Sequence, residues 1–157
     1  MTSYKIRRIN INELIKLTDL CDYTDKSEMI EENTYNLING NIDIFVLSYD
    51  NKFIGELHIK YKSDDILFAV PNRRAYLYAF RIHKSYQGKG LGTLLLNTVI
   101  CELESKGYTE LTVGVEDNNE RAKYIYNKFG FTKIIARRKE CYQRAEYEYN
   151  LLLKCDK

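Results

Sequence analysis

Gln87-Gly88-Lys89-Gly90-Leu91-Gly92-Thr93 stands between a strand-like run, Ala75 to Ile82, and a helix-like run, Leu91 to Lys106. Glycines at that junction let the backbone turn tightly and approach a ligand. The amides that open the following helix point forward, where the helix dipole favours an anion. The implied ligand carries phosphate. Two common phosphate frames fail, because a G-x-G-x-x-G frame begun at Gly88 meets Thr93 at its last position and no G-x-x-x-x-G-K-[ST] occurs.

The runs around this loop define the fold class. Tyr4 to Ile9 reads as a strand, followed by helical segments near Asn12 to Leu20 and Lys26 to Ile38, the second stopped by Asn39-Gly40. Ile42 to Tyr49 and Lys52 to Tyr61 are β-branched and aromatic runs separated by Asp50-Asn51, a hairpin. Lys62 to Arg74 is a long connection whose apolar island, Ile66 to Val70, is expected to form a short strand or a lid over the site. The Leu91 to Lys106 helix carries an apolar stripe at 91, 94, 95, 99 and 103 and ends at Gly107.

Leu111 to Val115 alternates as a fifth strand, and a helix runs from about Asn118 to Phe129, with Asp117 and Glu120 spaced as in a capping box and Gly130 as its stop. Thr132 to Cys141 and Glu146 to Cys155 close the chain as two strands. The expectation is an α+β fold on residues 1–157 as one domain, a mixed sheet flanked by helices.

Composition narrows the function classes. Lys+Arg 24 against Asp+Glu 22 gives a formal charge of +2, which supplies no broad basic field for nucleic acid. Cys21, Cys101, Cys141 and Cys155 form no C-x-x-C pair and lack nearby histidines, so no metal is expected and the thiols read as buried or free. No apolar run reaches the roughly 20 residues of a membrane span, and the N-terminus lacks a signal-like core, so a cytoplasmic setting is expected.

Gln87, Gly90 and Gly92 match Gln/Arg-x-x-Gly-x-Gly/Ala, and Asn119, Ala122, Tyr126, Gly130 and Phe131 match Asn-x-x-Ala-x-x-x-Tyr-x-x-x-Gly-Phe. In these two motifs, in this order with a strand between them, the chain resembles the GNAT superfamily of acyl-CoA-dependent N-acetyltransferases from Tyr76 to Phe131. The resemblance implies the GNAT fold: a mostly antiparallel mixed sheet of about seven strands, about four flanking helices, and fourth and fifth strands that splay apart. It implies acetyl-CoA as co-substrate and a primary amine as acceptor.

The same resemblance implies site residues. Backbone groups of Phe80, Arg81 and Ile82 would pair with pantetheine, and a bulge there would leave an amide free for the thioester oxygen. Backbone amides from Gly88 through Lys89, Gly90, Leu91 and Gly92 to Thr93 would hold the pyrophosphate, with Gln87 bordering it. Asn119 and Tyr126 lie two helical turns apart on one face, so one ligand can touch both. Asn119 would hold pantetheine or the helix entry, and Tyr126 would protonate the departing thiolate. Asn119 also reads as a plain helix start, and Tyr126 as one more packed aromatic.

Direct attack in a ternary complex is expected, since no cysteine has an adjacent base. For the general base Glu56 ranks first, ahead of Tyr78, His83 and Glu116, against a reading of Glu56 as a solvated strand carboxylate. Glu28, Glu31, Glu32 and Asp64-Asp65 would attract a cationic amine or form a solvated face. Lys133, Arg137, Arg138, Lys139 and Arg144 form a basic cluster that would border an acidic partner, the adenosine 3′-phosphate or solvent. A protein amino terminus or lysine is the alternative acceptor, a non-catalytic acyl-CoA-binding domain the alternative class. The resemblance also admits a homodimer.

Overall fold

The computed structural model of the protein describes residues 3–155. Seven strands hydrogen-bond in the order β1-β2-β3-β4-β5-β7-β6: β1 Tyr4–Arg8, β2 Ile42–Tyr49, β3 Lys52–Lys60, β4 Arg74–Ile82, β5 Glu110–Val115, β6 Lys133–Tyr142 and β7 Ala145–Cys155. The helices are α1 Lys26–Ile38, α2 Leu91–Ser105 and α3 Glu120–Lys128, with 3-10 segments at Ile11–Asp19 and Lys84–Tyr86. This is the expected mixed sheet with flanking helices. The described residues fall into two compact units, one running to Ile59 and adding Ala79–Glu102, the other Lys60–Tyr78 with the chain from Leu103 onward.

In the first unit β1 pairs antiparallel with β2, Tyr4 opposite Tyr49. Asp50 and Asn51 carry φ of 54° and 64° between β2 and β3, the left-handed pair that a two-residue hairpin needs and that Asp and Asn tolerate best after glycine. The Ile11–Asp19 segment is pinned at its start by Glu13. Its Oε1 accepts from Asn10 N at 3.0 Å, and both its carboxylate oxygens accept from Arg7 at 2.8 Å. The Arg7 hydrogen bonds hold the Glu13 carboxyl down at about 2.

Asp25 caps α1 by accepting from Glu28 N at 2.9 Å. Leu14, Leu17 and Met29 then pack with Ile9, Ile42, Ile44, Val46 and Phe53 in a buried cluster. α2 buries Leu91, Leu95, Leu96, Val99, Ile100 and Leu103, a wider stripe than expected, and leaves Leu94 at 45% exposure.

In the second unit Arg74–Leu77 of β4 run parallel to Glu110–Val113, and β5 pairs antiparallel with β7, Val115 opposite Asn150. Both β4 and β5 extend beyond their shared ladder, to Ile82 and Val115. The Ile66–Val70 island makes neither a strand nor a lid. Val70 and Arg74 bridge across a tight turn, Phe68 and Ala69 join the core with Tyr76, Tyr149 and Leu151, and only Ile66 stays out at 69% exposure. The hydroxyl of buried Thr112 fixes this turn by donating to Phe68 O at 2.7 Å.

The expected Asp117–Glu120 capping box is absent. Asn119 is the cap, its Oδ1 accepting from Ala122 N at 3.1 Å, while Asp117 accepts from Arg137 Nη2 and Asn150 Nδ2, each at 3.0 Å. A stronger long-range partner has taken the aspartate.

Candidate functional site

The glycine loop lies in the first unit. His83 opens it as a cap: Nδ1 accepts from Ser85 N at 3.1 Å, and its own backbone N donates to Ile54 O at 2.7 Å. An imidazole nitrogen that accepts carries no proton, so His83 is occupied as a structural acceptor. Gln87 folds back, and Nε2 donates to Ile82 O at 2.9 Å, closing the loop on the end of β4. Gly88 and Gly90 have φ of +80° and +76°, conformations that residues with a Cβ adopt at a cost of about 1–2 kcal/mol.

A Cβ added at Gly88 or Gly90 would meet nothing within 4 Å, so the space over the loop is open. Leu94 N donates to Gly90 O at 3.1 Å, the first bond of α2. The amides of Leu91, Gly92 and Thr93 therefore have no helical partner and face the helix's own N-terminal side. This is a backbone surface suited to anions, with Lys89 standing over the Tyr86 ring at 5.6 Å.

β4 carries a backbone irregularity next to the residues expected to meet the thioester. Ala79 has φ of +50°, a rare conformation for alanine inside a strand and the kind of distortion that frees an amide from the ladder. Phe80 and Ile82 turn their side chains toward Gly92, where an added Cβ would stand 3.4 Å from Phe80 Cζ and 3.6 Å from Ile82 Cγ1. Arg81 instead reaches Glu56.

Glu56 is 0% exposed, which overturns its reading as a solvated strand carboxylate. Oε2 accepts from Arg81 Nη1 at 3.2 Å, and Oε1 lies 2.6 Å from His58 Nε2. A carboxylate only accepts, so Nε2 carries the hydrogen of that bond. His58, 3% exposed, is a member of the cluster that pattern reading missed; its i+2 spacing from Glu56 on β3 was the available signal. Burial alone would lower the Arg81 guanidinium. The Glu56 carboxylate, helped by Tyr23 and Cys21, outweighs it and leaves the guanidinium raised.

The second unit places the downstream motif. Asn119 spends its side-chain oxygen on the helix cap, which leaves the amide nitrogen as the group it can offer a ligand. Tyr126 is buried, and desolvation pushes its phenol well above the ordinary tyrosine range. Gly130 and Phe131 have a structural reason to follow it. Gly130, at φ 95°, ends α3, Phe131 N donates to Tyr126 O at 3.0 Å, and the Phe131 ring meets Tyr126 edge-on at 5.7 Å between centroids.

Other candidates are accounted for differently. Tyr78 stacks on Tyr76 at 5.3 Å beneath the Lys60 ammonium, and Glu116 is an exposed residue that accepts from Asn119 N through its backbone. Asp65 accepts from Leu67 N and pairs with Arg138, interactions that lower its carboxyl. Arg137 pairs with Glu148 across the β6–β7 hairpin and with Asp117 outside it, and Lys139 pairs with Glu146, so Arg137, Arg138 and Lys139 of the basic cluster each have an acidic partner. Among the described residues no group of three His, Cys, Asp or Glu is placed to hold a metal ion, and no helix is long and apolar enough to cross a membrane.

The Acetyltransferase (GNAT) family model matches residues 11–131. The chain belongs to the GNAT family. It is similar to the uncharacterized N-acetyltransferase YdgE of Bacillus subtilis, 34% identical over 45% of this chain and 46% of that one. It is also similar to the [ribosomal protein bS18]-alanine N-acetyltransferase of Haemophilus influenzae, 38% identical over 41% of this chain and 43% of that one. The chain thus spans about half the length of the curated relatives it matches. Among crystal structures of N-acetyltransferases, two that share its fold are each 18% identical to it. The Thermoplasma acidophilum Paia N-acetyltransferase in complex with coenzyme A has a TM-score of 0.72 over 98% of this chain and 99% of that one. The ribosomal-protein-S18-alanine N-acetyltransferase of Escherichia coli has 0.75 over 98% and 94%.

Proposed function

We propose that residues 1–157 act as a single acyl-CoA-dependent N-acetyltransferase domain, moving an acetyl group from acetyl-CoA to the primary amine of a small acceptor. The observation that carries the reading is the loop from Gln87 to Thr93: left-handed Gly88 and Gly90, open space above them, and the unpartnered first amides of α2. Membership of the GNAT family supports it, as does the coenzyme A complex of the Thermoplasma relative.

In this reading Gly88 to Thr93 hold the pyrophosphate by their backbone, and Gln87 keeps the loop closed. Phe80, Arg81 and Ile82 present backbone groups to pantetheine, the irregular backbone at Ala79 frees an amide for the thioester oxygen, and Asn119 offers its amide nitrogen. The amine nitrogen forms a bond to the acetyl carbon, the carbon–sulfur bond breaks, and the sulfur takes a proton from Tyr126 as the amine gives one up. Glu56 is the base. It is fully covered, its oxygens held by half-exposed Arg81 and buried His58, so in this reading the proton is relayed to it rather than taken directly from the amine. As a phenol Tyr126 carries a proton at neutral pH, and burial, which raises it further, makes it a weaker donor than an exposed tyrosine.

The bS18-alanine N-acetyltransferase relatives support a second acceptor, the amino terminus of a protein. Mass spectrometry of acetylated protein against small-molecule extracts separates the two. Four cysteines outside any disulfide suit a reducing, cytoplasmic setting, and a homodimer is proposed with the family. The test of the reading is thiol release from acetyl-CoA across a panel of amines. Turnover of at least one amine is expected; a parent chain that binds no CoA overturns the proposal.

A further inference from the structure

Arg81 has two roles to fill in β4. Its backbone lies in the stretch proposed to face the thioester, and its side chain is gripped by a carboxylate wholly withdrawn from water. Behind that carboxylate stands a buried histidine, 2.6 Å from the other oxygen. Burying such a set costs desolvation that apolar packing of the same volume would avoid, so the cluster is a poor device for stability alone. What it does provide is a guanidinium fixed in one orientation. The Arg81 side chain remains 35% exposed, and the Glu56 bond uses one of its five N–H donors.

A planar fork with its rotamer already set pays little further entropy to bind an anion and matches carboxylate geometry with two parallel bonds. The side chain thus leaves β4 from the stretch proposed to face the thioester, with its free N–H groups on the half-exposed side of the cluster. We infer that Arg81 reads an anion on the acceptor, so that the acceptor is a primary amine with a carboxylate close to its amino group. One residue supplies both the backbone at the reacting centre and the anchor, which limits amine and carboxylate to a separation of one arginine side chain. A polyamine, cationic at both ends, would meet the wrong charge there. This rests on the acetyltransferase reading above and adds the acceptor class to it.

The test uses amino acids in matched sets, each as free acid, as amide and as the decarboxylated amine, with rates corrected for the fraction of free amine. For the parent chain kcat/KM of the free acid should exceed that of its two partners roughly ten- to a hundredfold, chiefly through KM. Arg81→Lys keeps a cation beside Glu56 but lacks the fork, and should narrow that ratio. A structural role for Arg81 would lower all three members of a set together and leave the ratio where it was, which overturns the inference. Equal rates for the three members in the parent overturn it while leaving the acetyltransferase reading intact, and preference for the amide transfers the site to peptide amino termini. No turnover with any amine removes both.

Discussion

Tyr126 illustrates how one residue can satisfy a packing role and a chemical one. Its ring closes on Phe131 at the end of α3, and its buried phenol is held well above its normal range. Any phenol holds its proton at neutral pH; burial raises this one further, so its donation relies on the negative charge that builds on the sulfur as the carbon–sulfur bond breaks. Replacing the hydroxyl alone separates the roles. Tyr126→Phe should lower kcat by roughly a hundredfold, within the range for loss of a general acid, while acetyl-CoA binding by calorimetry stays at the parental value. Turnover equal to the parent's at saturating substrates would remove Tyr126 from the chemistry. The spacing of the motif made Tyr126 legible. Glu56 was legible only as a carboxylate on a strand, since nothing in the local pattern shows that Arg81, 25 residues away, and His58 bury it between them.

The hairpins and helices followed from short-range chemistry: Asp50-Asn51 supplies the left-handed pair its turn requires, and Gly130 supplies the stop of α3. Where an element's end depended on distant partners the pattern misled, as at Asp117, which Arg137 and Asn150 draw away from the helix. Asn119 took over the cap, and that assignment can be tested against its proposed ligand role. Asn119→Ala should cost roughly 1 kcal/mol of stability, the usual loss of a capping side chain. Asn119→Asp restores the capping oxygen and removes the amide donor. It should melt like the parent yet bind CoA more weakly; unaltered affinity would reduce Asn119 to a cap and nothing more.

At the scale of the whole chain, apolar, β-branched and aromatic runs identified all seven strands, with alternation the signal in the fifth, while the position of β7 between β5 and β6 was settled by its pairing with β5, about 40 residues away in sequence. The donor loop was equally plain in sequence because its work is done by backbone, and backbone conformation is what glycines announce. Acceptor recognition falls to side chains from separate elements, and no spacing brings those together. Ligand linkage offers a readout that needs no acceptor. A molecule that binds only the folded chain stabilises it by about 2.7 kcal/mol at a hundred times its dissociation constant. For a chain of this length each kcal/mol raises the melting temperature by about 2–4 °C, so CoA at that concentration should raise it by roughly 5–10 °C. Gly90→Glu puts a side chain and a negative charge into the open space over the loop, on a residue already at φ +76°. Its melting temperature should fall slightly from backbone strain and then fail to respond to CoA. A parental response to CoA in Gly90→Glu would move the pyrophosphate away from this loop.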